Sequence, residues 1–209
     1  MLVSDATKVI KNRVVLDAVS VSLDRGGIYG FLGVNGSGKT MLFRAISGLI
    51  HLTSGFIEVF GKRIGADVDF APGLGLCLEP IGFWDDLTGF DNLMALASIR
   101  HLVGEEEVRG SLQRVGLDPA DTRPFGSYSL GMRQRLNIAQ AIMEKPELLV
   151  LDEPTNSLDV EGMGRVRSII LEEREGGCTV LVACHNEPDL EALFDRTFLM
   201  ESGRLREAI

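Results

Sequence analysis

The residues with the plainest chemistry are Gly33-Val34-Asn35-Gly36-Ser37-Gly38-Lys39-Thr40, a glycine-rich run closed by a lysine and a hydroxyl. The glycines free the backbone to turn successive N–H groups toward one phosphate. A helix starting here would add its positive dipole, Lys39 a point charge, and Thr40 an oxygen for magnesium. Lys39 is one of only five lysines, against 16 arginines, so abundance does not explain its placement. The pattern GxxxxGK[ST] predicts a site for ATP or GTP, provided a strand precedes it and a helix follows.

A second candidate is Asp152-Glu153, directly after the apolar run Leu148-Leu149-Val150-Leu151. A carboxylate at the C-terminal end of a buried parallel strand can reach magnesium beside bound phosphates, directly or through water, which suits Asp152. Glu153 then lies near an attacking water. Read alone, the pair could also be an acidic helix-capping turn; the upstream loop favours the metal reading.

The surrounding pattern must supply the strands and helices. Val14 to Leu23 alternates, with Val19, Val21 and Leu23 on one face and Ser20, Ser22 and Asp24 on the other, which predicts a half-buried strand. Ile28 to Leu32 is a short apolar strand feeding the glycine loop. Leu42, Ile46 and Leu49 recur at helical spacing before Ser47-Gly48 and Thr53-Ser54-Gly55 break the pattern, and Phe56 to Phe60 resembles another strand. From about Asp85 to Lys145 the chain reads as helical: FDNLMALASIRHLV, EEEVRGSLQRVGL, then LGMRQRLNIAQAIMEK with a stripe of Met132, Leu136, Ala139 and Met143. After Pro146, strand and helix alternate again: LLVL, VEGMGRVRSIILEERE, TVLVA, EPDLEALF and RTFLM. This order predicts an α/β fold with a parallel sheet and an inserted helical subdomain.

Composition narrows the class. The chain has 209 residues, 45% hydrophobic and 24% charged, which suits one globular domain and excludes disorder or a disulfide-stapled miniprotein. Cys77, Cys178 and Cys184 lack metal-ligand spacing, and a reducing compartment fits them. The N-terminal run lacks the apolar core of a signal peptide, and no stretch approaches 18 uninterrupted apolar residues. A formal charge of −9 opposes nucleic-acid binding.

Beyond these two motifs the chain resembles the nucleotide-binding domains of ATP-binding cassette (ABC) transporters over nearly its whole length. Tyr128-Ser129-Leu130-Gly131-Met132-Arg133-Gln134-Arg135 resembles the family's signature motif in an SLGM form. The stretch ending at Asp152-Glu153 resembles the Walker B strand, Ser157-Leu158-Asp159 the D-loop, and His185 the histidine that meets the γ-phosphate. The resemblance implies a P-loop NTPase, RecA-like core with a mostly parallel sheet and an N-terminal antiparallel β-subdomain. Residues 1–84 and 146–209 would form the core and β-subdomain, and 85–145 the helical subdomain.

It also implies ATP and Mg²⁺ as cofactors and a head-to-tail dimer, with the same chain or a second, different cassette. In that dimer Ser129, Gly131 and Asp159 serve the nucleotide held by the partner's Gly33–Thr40 loop. Lys39, Gly33, Asn35, Gly36, Ser37, Gly38 and Thr40 would hold phosphates, and Thr40 and Asp152 magnesium. Glu153 would polarise water and His185 contact the γ-phosphate. A transmembrane permease subunit would be the partner and the cytoplasmic face of the cell membrane the location, with no nucleic acid expected.

Two positions depart from the family pattern. Ile10 stands where an aromatic residue normally stacks on adenine, which predicts a weakened base platform. Glu79 stands where a glutamine is usual and adds negative charge for magnesium beside Asp152 and Glu153. GFWDDLTGFDNL, containing the single Trp84, resembles the region of exporter-type cassettes that receives the membrane partner, although core packing would equally explain Phe83 and Trp84. The alternatives are a non-transport cassette ATPase acting on ribosomes or DNA, and, more remotely, a P-loop kinase of a small metabolite.

Overall fold

A computed structural model describes residues 1–79, 82–185 and 187–208. The chain begins with β1 (Leu2–Ile10), β2 (Arg13–Ser22) and β3 (Ile28–Leu32), and α1 (Lys39–Ser47) follows the glycine loop. Next come β4 (Ser54–Val59), β5 (Lys62–Arg63) and β6 (Leu74–Cys77), then α2 (Gly89–Arg100), α3 (Glu105–Arg114) and α4 (Leu130–Ile142). The chain closes with β7 (Leu148–Asp152), α5 (Val160–Glu175), β8 (Thr179–Cys184), α6 (Pro188–Glu191), β9 (Arg196–Glu201) and β10 (Arg204–Glu207).

Six strands form the central sheet in the order β10-β9-β3-β8-β7-β6, parallel throughout except for the edge strand β10. β7 and β8 are buried at every residue, and the reason is visible in their alternation. Leu149 and Leu151 face a core built by α2, α3, α4 and α5, whereas Leu148 and Val150 face a second core with α1 and the N-terminal strands. A parallel strand covered on both sides therefore reads as an unbroken apolar run. The second sheet is antiparallel, in the order β2-β1-β4-β5, and closes the second core with Val3, Ala6, Leu16, Val19 and Ile57. The fold is thus the expected α/β arrangement of a mostly parallel sheet with an antiparallel N-terminal sheet.

Caps fix the helices where they matter for the site. Ser129 caps α4 by accepting from the Met132 N–H, and Asp159 caps α5 by accepting from the Gly162 N–H. Buried Asn92 holds the segment before α2: its side chain accepts from the Trp84 N–H and donates to the carbonyls of Trp84, Leu87 and Thr88.

Some expectations needed correction. α1 stops at Ser47 because Gly48 turns left-handed, and Leu49 swings out to 48% exposure instead of extending the buried stripe. EPDLEALF forms only one helical turn, with Leu190 as its sole buried member. Strands β1, β6 and β10 had no clear signal. β1 has register shifts around Ala6 and a left-handed Asp5, which scramble its alternation. β6 has only four residues, and β10 is a charged edge strand, RLRE. All three cysteines are buried, which pushes their thiols well above the ordinary value and leaves them as core residues.

Candidate functional site

The glycine loop joins the end of β3 to the start of α1, the strand-loop-helix context its sequence requires. Two of its glycines have no substitute. Gly33 is left-handed, and a Cβ there would collide with the Met200 carbonyl oxygen. Gly38 has φ +119°, and its Cβ would stand 2.7 Å from the Met200 methyl carbon and 3.0 Å from the Val15 carbonyl oxygen. The loop is pinned further where the Gly203 N–H donates to the Ser37 carbonyl at 2.8 Å.

Around this loop lies a cavity of about 660 Å³ lined by residues 34–41, Glu153, Arg13–Val15 and Ser202–Gly203. Lys39, only 5% exposed, curls back so that its ammonium donates to the Gly33 carbonyl and stands 3.3 Å from the Glu153 carboxylate. The Thr40 hydroxyl donates to Asp152 Oδ2 at 2.5 Å across the junction of α1 and β7. Ser37 Oγ and Asp152 Oδ1 are buried and, among the described residues, have no hydrogen-bond partner, whereas buried Glu153 Oε1 is the oxygen that meets the Lys39 ammonium. Such atoms are costly unless something completes them. Burial pushes both carboxyls above their ordinary values; the Thr40 hydrogen bond and the Lys39 charge oppose this at Asp152, and Lys39 at Glu153.

This arrangement fits a magnesium-bound triphosphate. Thr40 and Asp152 offer hard oxygens of the kind magnesium prefers. Phosphate oxygens can take the Lys39 ammonium, the loop N–H groups and the Ser37 hydroxyl. A magnesium ion would supply Lewis-acid polarisation of the phosphoryl group.

The family-model comparison decides the class: residues 16–156 match the family described as ABC transporter. The chain belongs to that family. An uncharacterised ABC transporter ATP-binding protein of Bacillus subtilis, YybJ, is 42% identical over 97% of this chain and 93% of its own length. The bacitracin transport ATP-binding protein BcrA of Enterococcus faecalis is 37% identical over 97% of this chain and 67% of its own. Among solved structures, the ATP-binding cassette MJ0796, a dimer in a post-hydrolysis state with ADP and Pi, matches with a TM-score of 0.89 at 19% identity. That match covers 99% of this chain and 97% of that one, a likeness of fold. The protein is thus an ATP-binding cassette of the transporter type.

The cassette brings some of the expected residues together and leaves others apart. Lys39, Thr40, Asp152 and Glu153 meet at one point, joined by Gly33, Asn35, Gly36, Ser37 and Gly38. Glu79 is exposed at the end of β6; its charge helps to raise the Asp152 carboxyl, and its backbone carbonyl accepts from Arg44 at 3.0 Å. Ser129, Gly131, Asp159 and His185 do not line the phosphate cavity. His185 is exposed beyond β8, two residues past the Ala183 carbonyl that accepts from the Glu153 N–H at 2.8 Å. Asp159 is ion-paired with Arg135 at 2.8 Å, and a Cβ on Gly131 would fall 2.8 Å from the Ser157 carbonyl, so α4 and the turn before α5 pack directly together.

One residue escaped notice as an individual. Buried Gln134 donates from Nε2 to the Glu153 and Pro154 carbonyls at 3.3 and 3.2 Å, tying the signature helix to the carboxylate turn. A glutamine buried on a helix whose other buried residues, Asn137 apart, are apolar is the available signal.

Glu79 yields a direct expectation. Because its carboxylate adds to the negative field at Asp152, Glu79→Gln should raise the magnesium concentration for half-maximal ATP turnover by about threefold at low salt, a small shift befitting a screened, exposed charge. Superimposable magnesium titrations of the two proteins would reject that role.

Proposed function

We propose that this cassette is the ATP-hydrolysing subunit of an exporter. It binds Mg-ATP at the Gly33–Thr40 loop, closes head-to-tail on a second cassette, and drives a separate transmembrane permease from the cytoplasmic face of the membrane. The observation that carries the reading is the set of two buried, unpartnered oxygens, Ser37 Oγ and Asp152 Oδ1, beside Lys39 and the Thr40–Asp152 hydrogen bond. A magnesium-bound triphosphate completes that set.

In this reading Lys39 exchanges the Gly33 carbonyl and the Glu153 carboxylate for phosphate oxygens when nucleotide enters. Thr40 and Asp152 would hold magnesium, and the Glu79 charge, which already acts on Asp152, would add to the negative field there. The released Glu153 carboxylate polarises the attacking water, and His185 donates to the γ-phosphate.

Dimer closure is supported by apolar residues left in solvent. Leu130, beside Ser129, is 71% exposed; Val160, beside Asp159, is 83%; Val34, within the phosphate loop, is 62%. Each stands next to an element assigned to the nucleotide sandwich, and a second cassette would cover all three. ATP favours the closed state in the way any ligand shifts a population toward the conformation it binds better.

A second cavity of about 470 Å³ runs past Glu79, Gly82, Phe83 and Leu96. Trp84, next to this wall, is 53% exposed. A groove lined by Leu49, Ile50, Phe83 and Leu96 together with Arg44, Gln140 and Glu79 suits an inserted segment of the permease and would pass its motion to the magnesium site through Glu79. No described helix is long and apolar enough to cross a membrane, which leaves translocation to that partner. Relatives named for bacitracin transport and, at 33% identity, lantibiotic transport in Streptococcus pyogenes favour a peptide-antibiotic class of cargo.

The test is mass spectrometry of proteins co-purifying with tagged Glu153→Gln from gently solubilised membranes in Mg-ATP. A stoichiometric polytopic membrane protein is the expected result. Ribosomal or other soluble partners alone would overturn the transporter reading.

A further inference from the structure

The lining of the phosphate cavity contains an arginine that no described residue engages. Arg13 lines the cavity at the start of β2 and, among the described residues, its side chain has no hydrogen-bond, ion-pair or aromatic partner. Each of the other fifteen arginines is engaged by a carboxylate, a backbone carbonyl or an aromatic ring. In a chain with thirty acidic residues Arg13 is the exception, and it is free to meet whatever enters the cavity.

Local geometry places the guanidinium. β1 and β2 are joined by a two-residue turn, Lys11-Asn12, with both residues left-handed at φ 47° and 64°, the tight hairpin geometry that fixes register. Ile10 and Arg13 are therefore direct cross-strand partners, with side chains on the same sheet face. Ile10 occupies the position at which an aromatic platform was expected, and Arg13 stands beside it and forms the cavity wall. Two residues further in, Val15 touches the phosphate loop at Gly38. A triphosphate seated on that loop must direct its nucleoside outward past Arg13.

We propose that Arg13 is the base-contacting residue of this cassette, its planar guanidinium stacking on the purine in place of the missing aromatic ring. The assignment rests on the nucleotide site proposed above. Guanidinium groups stack on π-faces, whereas a lysine ammonium on the same stem offers charge without a plane. Every purine presents such a face, so the contact is tolerant of base identity.

The experiment compares equilibrium binding of ATP, GTP and inorganic tripolyphosphate, each with magnesium, to the parent chain, Arg13→Ala and Arg13→Lys. Because Arg13 is exposed and unpaired, all three should melt at the same temperature. The expected results are ATP and GTP affinities within about threefold of each other in the parent, and a loss of about fivefold for both in Arg13→Ala. Arg13→Lys should resemble Arg13→Ala, and tripolyphosphate affinity should stay within twofold across the series. An equal loss for tripolyphosphate would make Arg13 a phosphate contact and overturn the assignment. Unchanged ATP affinity in Arg13→Ala, or full retention in Arg13→Lys, would overturn it as well. A parent chain that binds none of the three ligands would instead remove the nucleotide site itself, and the role of Arg13 with it.

Discussion

Glu153→Gln should lower steady-state ATP turnover by at least about 10²-fold, the usual scale for losing a general base, while ATP affinity is retained or improved. The geometry explains both halves. The Glu153 carboxylate lies 3.3 Å from Lys39, so it competes with phosphate for the one buried ammonium that lines the cavity. Glutamine keeps the shape, removes that competition and removes the charge facing an incoming γ-phosphate. Glu153 has φ +49°, a left-handed conformation that an L-residue adopts at a cost, and this turn aims its side chain back toward Lys39. The turn is fixed through the backbone, by its N–H on Ala183 and its carbonyl on Gln134, so the substitution leaves the scaffold intact. With binding preserved and hydrolysis blocked, Mg-ATP should convert the variant to a species of doubled mass by size-exclusion chromatography with light scattering. Parent-like turnover would mean that another group activates the water.

How far this could be seen in the sequence depended on whether the signal was local. Phosphate loops need left-handed glycines at fixed places, so Gly33 to Thr40 announces itself, and the twice-buried strands β7 and β8 are legible as apolar runs. The cap at Ser129 is equally local, because a side-chain oxygen satisfies an N–H three residues on, whereas the Asp159 cap emerges only in the structure. What stayed hidden depended on contacts distant in sequence. β1 lies in the middle of its sheet, yet irregularities around Asp5 erase its period, and only β2 and β4 on either side make it a strand. Leu49 looks like a core residue until Gly48 turns the chain away. Arg13 stands out only after every other arginine has been matched to a partner, which requires coordinates. Of the residues expected to serve a partner's nucleotide, Ser129 and Asp159 lie on exposed surface beside the solvated Leu130 and Val160, and a single chain has nothing to set against them.

Asp152→Asn should separate magnesium use from nucleotide binding. Asp152 is 7% exposed; one oxygen accepts from Thr40 and the other is buried without a partner. Burial holds this carboxyl above its ordinary value, so the fold carries its charge at a cost. For a raised carboxyl pKa the sign is that the ionised form at neutral pH destabilises the folded state, and a neutral amide relieves this. The melting temperature of the nucleotide-free variant should therefore equal or exceed that of the parent. Loss of the carboxylate removes the anionic magnesium ligand, an electrostatic contribution of several kcal/mol, and turnover should fall on the order of 10²-fold. The separation shows in ligand-induced stabilisation, which grows with occupancy as RT ln(1 + [L]/Kd). ATP without magnesium should stabilise parent and variant alike, because Lys39 and the loop N–H groups are untouched. Adding magnesium should raise the melting temperature further in the parent only. A magnesium-dependent increment of parental size in Asp152→Asn would show that the ion is held elsewhere, and Thr40 would then have to be reassigned with Asp152, since the two are joined by one hydrogen bond.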